Sequence, residues 1–345
     1  MVVTTTSFLL QPFNLCSEGT IEKAISDNLW LKLPYELKEY IPTSPYELKS
    51  FNVRVRRSKK REISAYFRKN PRHFREDDFV ALEFRAKWSE EDFEDMIADR
   101  EARGLDAHQS RVAAARMLSN ICLSLAQRMI VLMNISSPGY SKTSFSILES
   151  KGLLFEVGEG CFSWLEYASY EEENFLARSK PIFDQEPQAF FDWAKQINGF
   201  WDNLPSTNVE RSLSYFSYIF TSEHHSNYFE TLPWIIGCLD ALYCETNTGI
   251  SEKLKNRIPI ILNDLTKQEI VKAVNKVYQD RSRIVHGDSK FVANFSDPYE
   301  LSDVGSSYIM LFDSLPLMLY LIIRTLRFCV EKNLKSLDFS ETVRL

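Results

Sequence analysis

Glycine is scarce in this chain, 11 of 345 residues, and none of it builds a phosphate-cradling loop. There is no G-x-x-x-x-G-K-S/T run and no G-x-G-x-x-G fingerprint, so P-loop and dinucleotide chemistry lack their signature. Nor is there a G-x-S-x-G elbow or a cysteine nucleophile motif. The six cysteines, Cys16, Cys122, Cys161, Cys238, Cys244 and Cys329, include no C-x-x-C pair. Neither a zinc site nor a disulfide framework is indicated, and a reducing cytoplasm is the natural compartment. His224 and His225 stand side by side in SEHHSN without a third ligand at a characteristic spacing, and read as part of a turn. No metal and no cofactor is implied.

Long clean apolar runs are also missing. The longest, YIMLFDSLPLMLYLII from Tyr308 to Ile323, is interrupted by Asp313, Ser314 and Pro316. It falls short of the roughly 18 apolar residues of a spanning helix and reads as a buried core helix, with no membrane partner. The start, MVVTTTSFLLQPFN, lacks the positive flank of a secretion signal and reads as mature protein. The formal charge of -6 and pI near 5.6 exclude a surface that coats nucleic acid throughout and leave only a local basic patch.

What is present is an ordinary globular composition, 44% hydrophobic and 26% charged, long enough for two domains. From Phe51 to Trp88 the pattern alternates, as in FNVRVRR and LEFRAKW, the period of half-buried strands. Ser89 precedes the acidic EEDFEDMIADREAR, which predicts a capped, solvent-facing helix. The span Gln109 to Met133, without Gly or Pro, predicts a buried helix. Short alternating runs return in SFSILES, GLLFEV and CFSWLEYASY. An aromatic segment then leads to Pro205 and a polar STN, where the reading places a boundary.

Beyond it the pattern is helical. Thr207 with Glu210 and Thr266 with Glu269 form capping boxes. Val209, Leu213, Phe216 and Phe220 share one helical face, and Leu254, Ile258, Ile261 and Leu265 another. Further helices are predicted at about Leu232 to Tyr243 and about Ser302 to Glu331. The expected architecture is α+β: a strand-containing region over residues 1–204, and an all-α bundle over residues 205–345.

In the fourth of these helices the stripe Ile270, Val274, Val277 continues by four places to Arg281. A guanidinium on an apolar face needs an acidic partner inside the bundle, or a groove or second subunit where phosphate could meet it. His286 follows, then Gly287, which suits a helix end. The same Arg-to-His spacing occurs at Arg68 with His73 and at Arg103 with His108. There Pro71 and Gly104 intervene, whereas Arg281 to His286 has no breaker. The alternative is a structural arginine and a helix-end histidine favoured by the dipole.

The run YQDRSRIVHG, near the end of a bundle and followed by one more long helix, resembles the Arg-x4-6-His signature of HEPN domains, in particular the Apea-like branch with its RS…HG wording. The resemblance covers roughly Pro205 to Asn333. It implies a four- or five-helix bundle that pairs with a second copy, and a metal-independent endoribonuclease with Arg and His of both copies lining one cleft. On this chain Arg281 would bind the scissile phosphate. His286 would act as general base or acid at the ribose 2′-hydroxyl or the leaving oxygen. Asp280, Arg283 and Asp288 flank the pair as supporting groups. Ser282 stands where many HEPN nucleases carry Asn, Asp or His. By the same resemblance the role is in prokaryotic phage defence or as a toxin, with room for an inhibitor or antitoxin partner. A non-catalytic HEPN bundle, binding RNA or dimerising, is the other reading.

Between Arg54 and Arg75 lie ten Lys or Arg against one acidic residue, Glu62, with aromatic residues interleaved. Arg54, Arg56, Arg57, Lys59, Lys60 and Arg61 are therefore candidates for holding RNA; the alternative is the charged face of an edge strand.

Overall fold

The computed structural model describes residues 1–11, 36–42, 44, 46–57, 80–136, 142–157, 186–202, 204–221, 228–244, 249–263, 265–286 and 305–339. It is mixed, with one antiparallel sheet and a majority of helix. The chain divides into two compact units: one holds all the described strands and the helices up to Asp202, the other the later helices.

The sheet has five strands in the order β2-β3-β1-β4-β5: β1 Val2–Gln11, β2 Leu48–Arg57, β3 Val80–Trp88, β4 Lys142–Ser150 and β5 Leu153–Val157. The N-terminal run is thus the central strand, antiparallel to β3 on one side and β4 on the other. Register places Phe8 opposite Leu82, Thr6 opposite Phe84, Thr4 opposite Ala86 and Val2 opposite Trp88. These residues share one face and all are buried. Thr4 fits there because its hydroxyl finds a partner, the Trp88 indole donating to Thr4 Oγ1 at 2.8 Å.

Two helices follow β3. In α1, Glu90–Ala102, Ser89 occupies the N-cap, but its hydroxyl makes no capping bond. Ser89 is buried and its N–H is taken by the Glu47 carbonyl. The helix is not wholly solvent-facing either, since Phe93, Met96 and Ile97 are buried. The longer α2, Ala107–Ser136, packs across β1, β3 and β4. By length and composition α2 could cross a membrane, yet 72% of its most apolar window is buried inside the protein. Cys122 of α2 sits among Thr4 and Thr6, and burial pushes its thiol up. Two short helices, α3 Pro187–Ala194 and α4 Asn198–Asp202, complete this unit. The buried Arg128 of α2 donates to the carbonyls of Phe200 at 2.8 Å and Trp201 at 3.2 Å, satisfying groups that the end of α4 leaves open.

The opposite face of the sheet is polar. On it Glu83 of β3, only 2% exposed, accepts from Arg54 Nε and Arg56 Nε of β2, each at 2.7 Å. Burial alone would raise the Glu83 carboxyl; hydrogen bonds and charge from Arg56 and Arg54 outweigh it, leaving the group below its ordinary value.

The helical unit contains α5 Asn208–Thr221, α6 Tyr228–Tyr243, α7 Ile250–Ile261, α8 Lys267–Val285 and α9 Gly305–Glu331. Both capping boxes form. The Thr207 N–H donates to Glu210 Oε2 at 2.9 Å, and the Thr266 N–H to Glu269 Oε2 at 2.9 Å. Val209, Leu213 and Phe216 are fully buried, as are Leu254 and Ile258. α6 starts earlier than the sequence pattern predicts, so Pro233 lies inside it, and α9 begins at Gly305. α9 packs against α6 and α8, and α7 against α6 and α8. Tyr243 and Thr325 share a buried hydroxyl hydrogen bond. Asn208 pins the chain beyond α9, accepting from the Leu337 N–H at 2.9 Å and donating to its carbonyl at 2.6 Å. Cys238 and Cys329 are buried here, the first with its thiol well above the ordinary value and the second pushed up to about 12 by burial. The predicted strand CFSWLEYASY lies outside the described residues.

Glu83→Gln is expected to cost on the order of 3 kcal/mol, at the low end for a broken buried pair because Arg54 is half-exposed and screened. The depressed carboxyl contributes stability that is full above its unfolded pKa and lost as pH falls through the folded one. Urea midpoints between about pH 3 and pH 6 should show that acid-sensitive component in the wild type and not in the variant.

Candidate functional site

The end of α8 carries the arginine and histidine singled out by sequence. The Thr266 box starts the helix, and Ile270, Ala273, Val274 and Val277 bury one side of it. Helical hydrogen bonding persists to the end, since the His286 N–H donates to the Ser282 carbonyl at 2.9 Å. The last turn is therefore regular up to His286. Five residues at about 100° each set Arg281 and His286 about 140° apart round the axis.

Both are exposed, as is Ser282. Arg281 lies past the buried part of the stripe, so it is not a buried structural arginine. Its guanidinium carbon is 5.8 Å from the centroid of the Tyr278 ring, one turn earlier. The Tyr278 hydroxyl in turn donates to Asp240 of α6. Burial raises the Asp240 carboxyl above its ordinary value, against the Tyr278 hydrogen bond and the charge of Arg281. Burial, and then the neighbouring Asp240, raise the Tyr278 phenol, which stays a neutral donor. Arg281 thus lies over the Tyr278 ring, and Asp240 feels its charge without forming an ion pair with it.

Asp240 and Tyr278 were not among the residues chosen from sequence. A signal was there: Asp240 is the one carboxylate in the apolar run LPWIIGCLDALY, and Tyr278 stands three places before Arg281 on one helix.

Asp280 and Arg283 belong to α8, with side chains outside the described residues, and Gly287 and Asp288 lie outside them altogether. Of the basic segment, Arg56 is largely buried, its side chain 15% exposed, and it also donates to Ser7 Oγ at 3.0 Å. Arg54 is more open, yet both hold Glu83. The side chain of Arg57 and the residues Lys59, Lys60 and Arg61 lie outside the described residues, as do His224 and His225. Arg103 and His108 are separated by Gly104 at φ +93°, a left-handed turn that ends α1. Among the described residues no three His, Cys, Asp or Glu side chains gather as a metal site would require.

Comparison with known proteins returned no matching family model, no curated protein and no solved structure.

Tyr278→Phe would strip a half-buried carboxylate of its donor and should lower stability by about 1–3 kcal/mol. Because the Asp240 pKa is raised on folding, its contribution falls as pH rises through that folded-state value. Asp240→Asn should remove this dependence, read as a flatter denaturant midpoint between about pH 4 and pH 7.

Proposed function

We propose that this chain is a HEPN-type endoribonuclease acting as a homodimer, cutting RNA by attack of the ribose 2′-hydroxyl on the adjacent phosphorus. The 2′-oxygen bonds to phosphorus and the 5′-oxygen leaves, giving a 2′,3′-cyclic phosphate and a 5′-hydroxyl. His286 takes the 2′-hydroxyl proton or supplies the one that the 5′-oxygen gains, and Arg281 steadies the charge on the phosphoryl oxygens. No metal is required by this chemistry.

The observation that carries the reading is the exposure of both residues at the end of one capped helix in a unit with five described helices. Their separation round the axis supports a site shared by two copies, each giving its histidine to one side and its arginine to another. Tyr278 and Asp240 set the approach of the guanidinium. The resemblance in YQDRSRIVHG further suggests a cytoplasmic role in prokaryotic phage defence or as a toxin. The strand-containing unit would then sense a trigger or recruit substrate, and an inhibitor or antitoxin would hold the enzyme off. Ser282 favours a second reading, a HEPN bundle that binds RNA or dimerises without cutting it.

Purified protein incubated with labelled RNA in excess chelator should yield cyclic-phosphate ends. His286→Ala should slow cleavage by roughly 100-fold or more while RNA binding persists, and Arg281→Ala should weaken binding as well. Sedimentation should show a dimer. Activity that vanishes with chelator and returns with Mg²⁺ would overturn the mechanism; RNA binding without cleavage by any form would establish the second reading.

A further inference from the structure

The side of α8 turned away from the core is itself a surface with a direction. Lys267, Lys272 and Lys276, with the amides Gln268, Asn275 and Gln279 and with Val271, line an open groove of about 860 Å³. No carboxylate is among the described residues that line it. Glu269, the acidic residue of the first turn, is folded back on Thr266, accepting from its hydroxyl at 2.7 Å.

The described lining of the groove ends at Gln279, and the same side of the helix continues to the candidate site. Gln268 and His286 are eighteen residues apart, which at 3.6 residues per turn is about five whole turns, so they lie on one line along the helix, about 27 Å from end to end. Lys272, Asn275, Gln279 and Ser282 all fall within about 40° of that line, Lys267 and Lys276 flank it at about 100° on one side and about 80° on the other, and Arg281 is about 140° away from it. Lys267, Lys272, Gln268, Asn275 and Gln279 are exposed. Lysine ammonium groups paired with side-chain amides suit an extended chain of phosphates and sugars: the ammoniums meet the charge, and the amides offer both donors and acceptors. In a chain of net charge -6, a strip without a described carboxylate offers a polyanion little local repulsion.

We infer that this face of α8 is the path along which single-stranded RNA reaches His286, its phosphates held by Lys272 on that line and by Lys267 at its flank. The inference rests on the ribonuclease reading and adds the route of the substrate. Contacts of this kind position without reading sequence, so the path accepts RNA of any base composition. They act on bound substrate and transition state alike, so they govern KM more than kcat.

The test uses the full chain and a labelled single-stranded RNA oligonucleotide of mixed sequence carrying 2′-O-methyl groups throughout, which blocks the proposed cleavage. Binding is followed by fluorescence anisotropy across a salt series. The double variant Lys267→Gln and Lys272→Gln is compared with Lys332→Gln and Lys335→Gln, which removes the same charge from exposed lysines elsewhere in the helical unit. Gln keeps helix propensity and neither site is buried, so melting temperatures should match the wild type. The α8 variant should bind about 10-fold more weakly, with the slope of log K against log salt shallower by about 1.4, two phosphates' worth for a single strand. On unmodified RNA it should raise KM and leave kcat nearly unchanged. If the wild type binds RNA and both double variants weaken it equally, or neither does, the path is wrong while the ribonuclease reading stands. If the wild type neither binds nor cuts RNA, the reading itself fails and the path with it.

Discussion

Four apolar side chains on α8, Ile270, Ala273, Val274 and Val277, settle how that helix is turned about its own axis. The larger ones contribute about 1.5–3 kcal/mol each on burial, so rotating the helix by even one residue position would expose them at a cost that no surface contact repays. Every feature of functional interest follows from that setting. It places the lysines and amides of the groove on the opposite side, brings Tyr278 onto Asp240, and leaves Arg281 just beyond the reach of the core. The Thr266 box fixes where the helix starts, and the regular hydrogen bond at Ser282 carries its register through to His286.

The helices of the second unit were legible because their signals are local. Capping boxes and a 3.6-residue period are written within a few positions, and Thr207, Glu210, Thr266 and Glu269 form the bonds that their spacing anticipates. The central strand was not legible. In VVTTTSFLLQ the inward positions include two threonines, so the run shows no hydrophobic alternation although Val2, Thr4, Thr6 and Phe8 are all buried. What satisfies the Thr4 hydroxyl, the Trp88 indole, comes from a residue more than eighty positions away. The Ser89 hydroxyl makes no capping bond, and the contact that holds its N–H, the Glu47 carbonyl, is likewise distant in sequence.

The candidate site divides along the same line. Arg281 and His286 could be picked from one short stretch, and their places at the end of a capped helix follow from its period. Asp240 could not be joined to them without knowing that α6 passes beside α8. The basic segment is described only in part, up to the end of β2. Its charge density reads as an RNA surface, but the register of β2 on β3 sets Arg54 and Arg56 over the same buried carboxylate. Two of the apparent free cations there are therefore part of how the sheet holds together.

The buried thiols add a property of a different kind. Cys122 belongs to the strand-containing unit, and Cys238 and Cys329 to the helical one. All three are held in their protonated form by burial, and it is the thiolate that reacts. An alkylating reagent or peroxide can reach these sulfurs only when the surrounding packing opens, and the sulfur then modified shows which unit opened. The chain thus carries, in each half, its own chemical clock for transient unfolding, and oxidative damage at those positions would record past openings rather than exposure at rest.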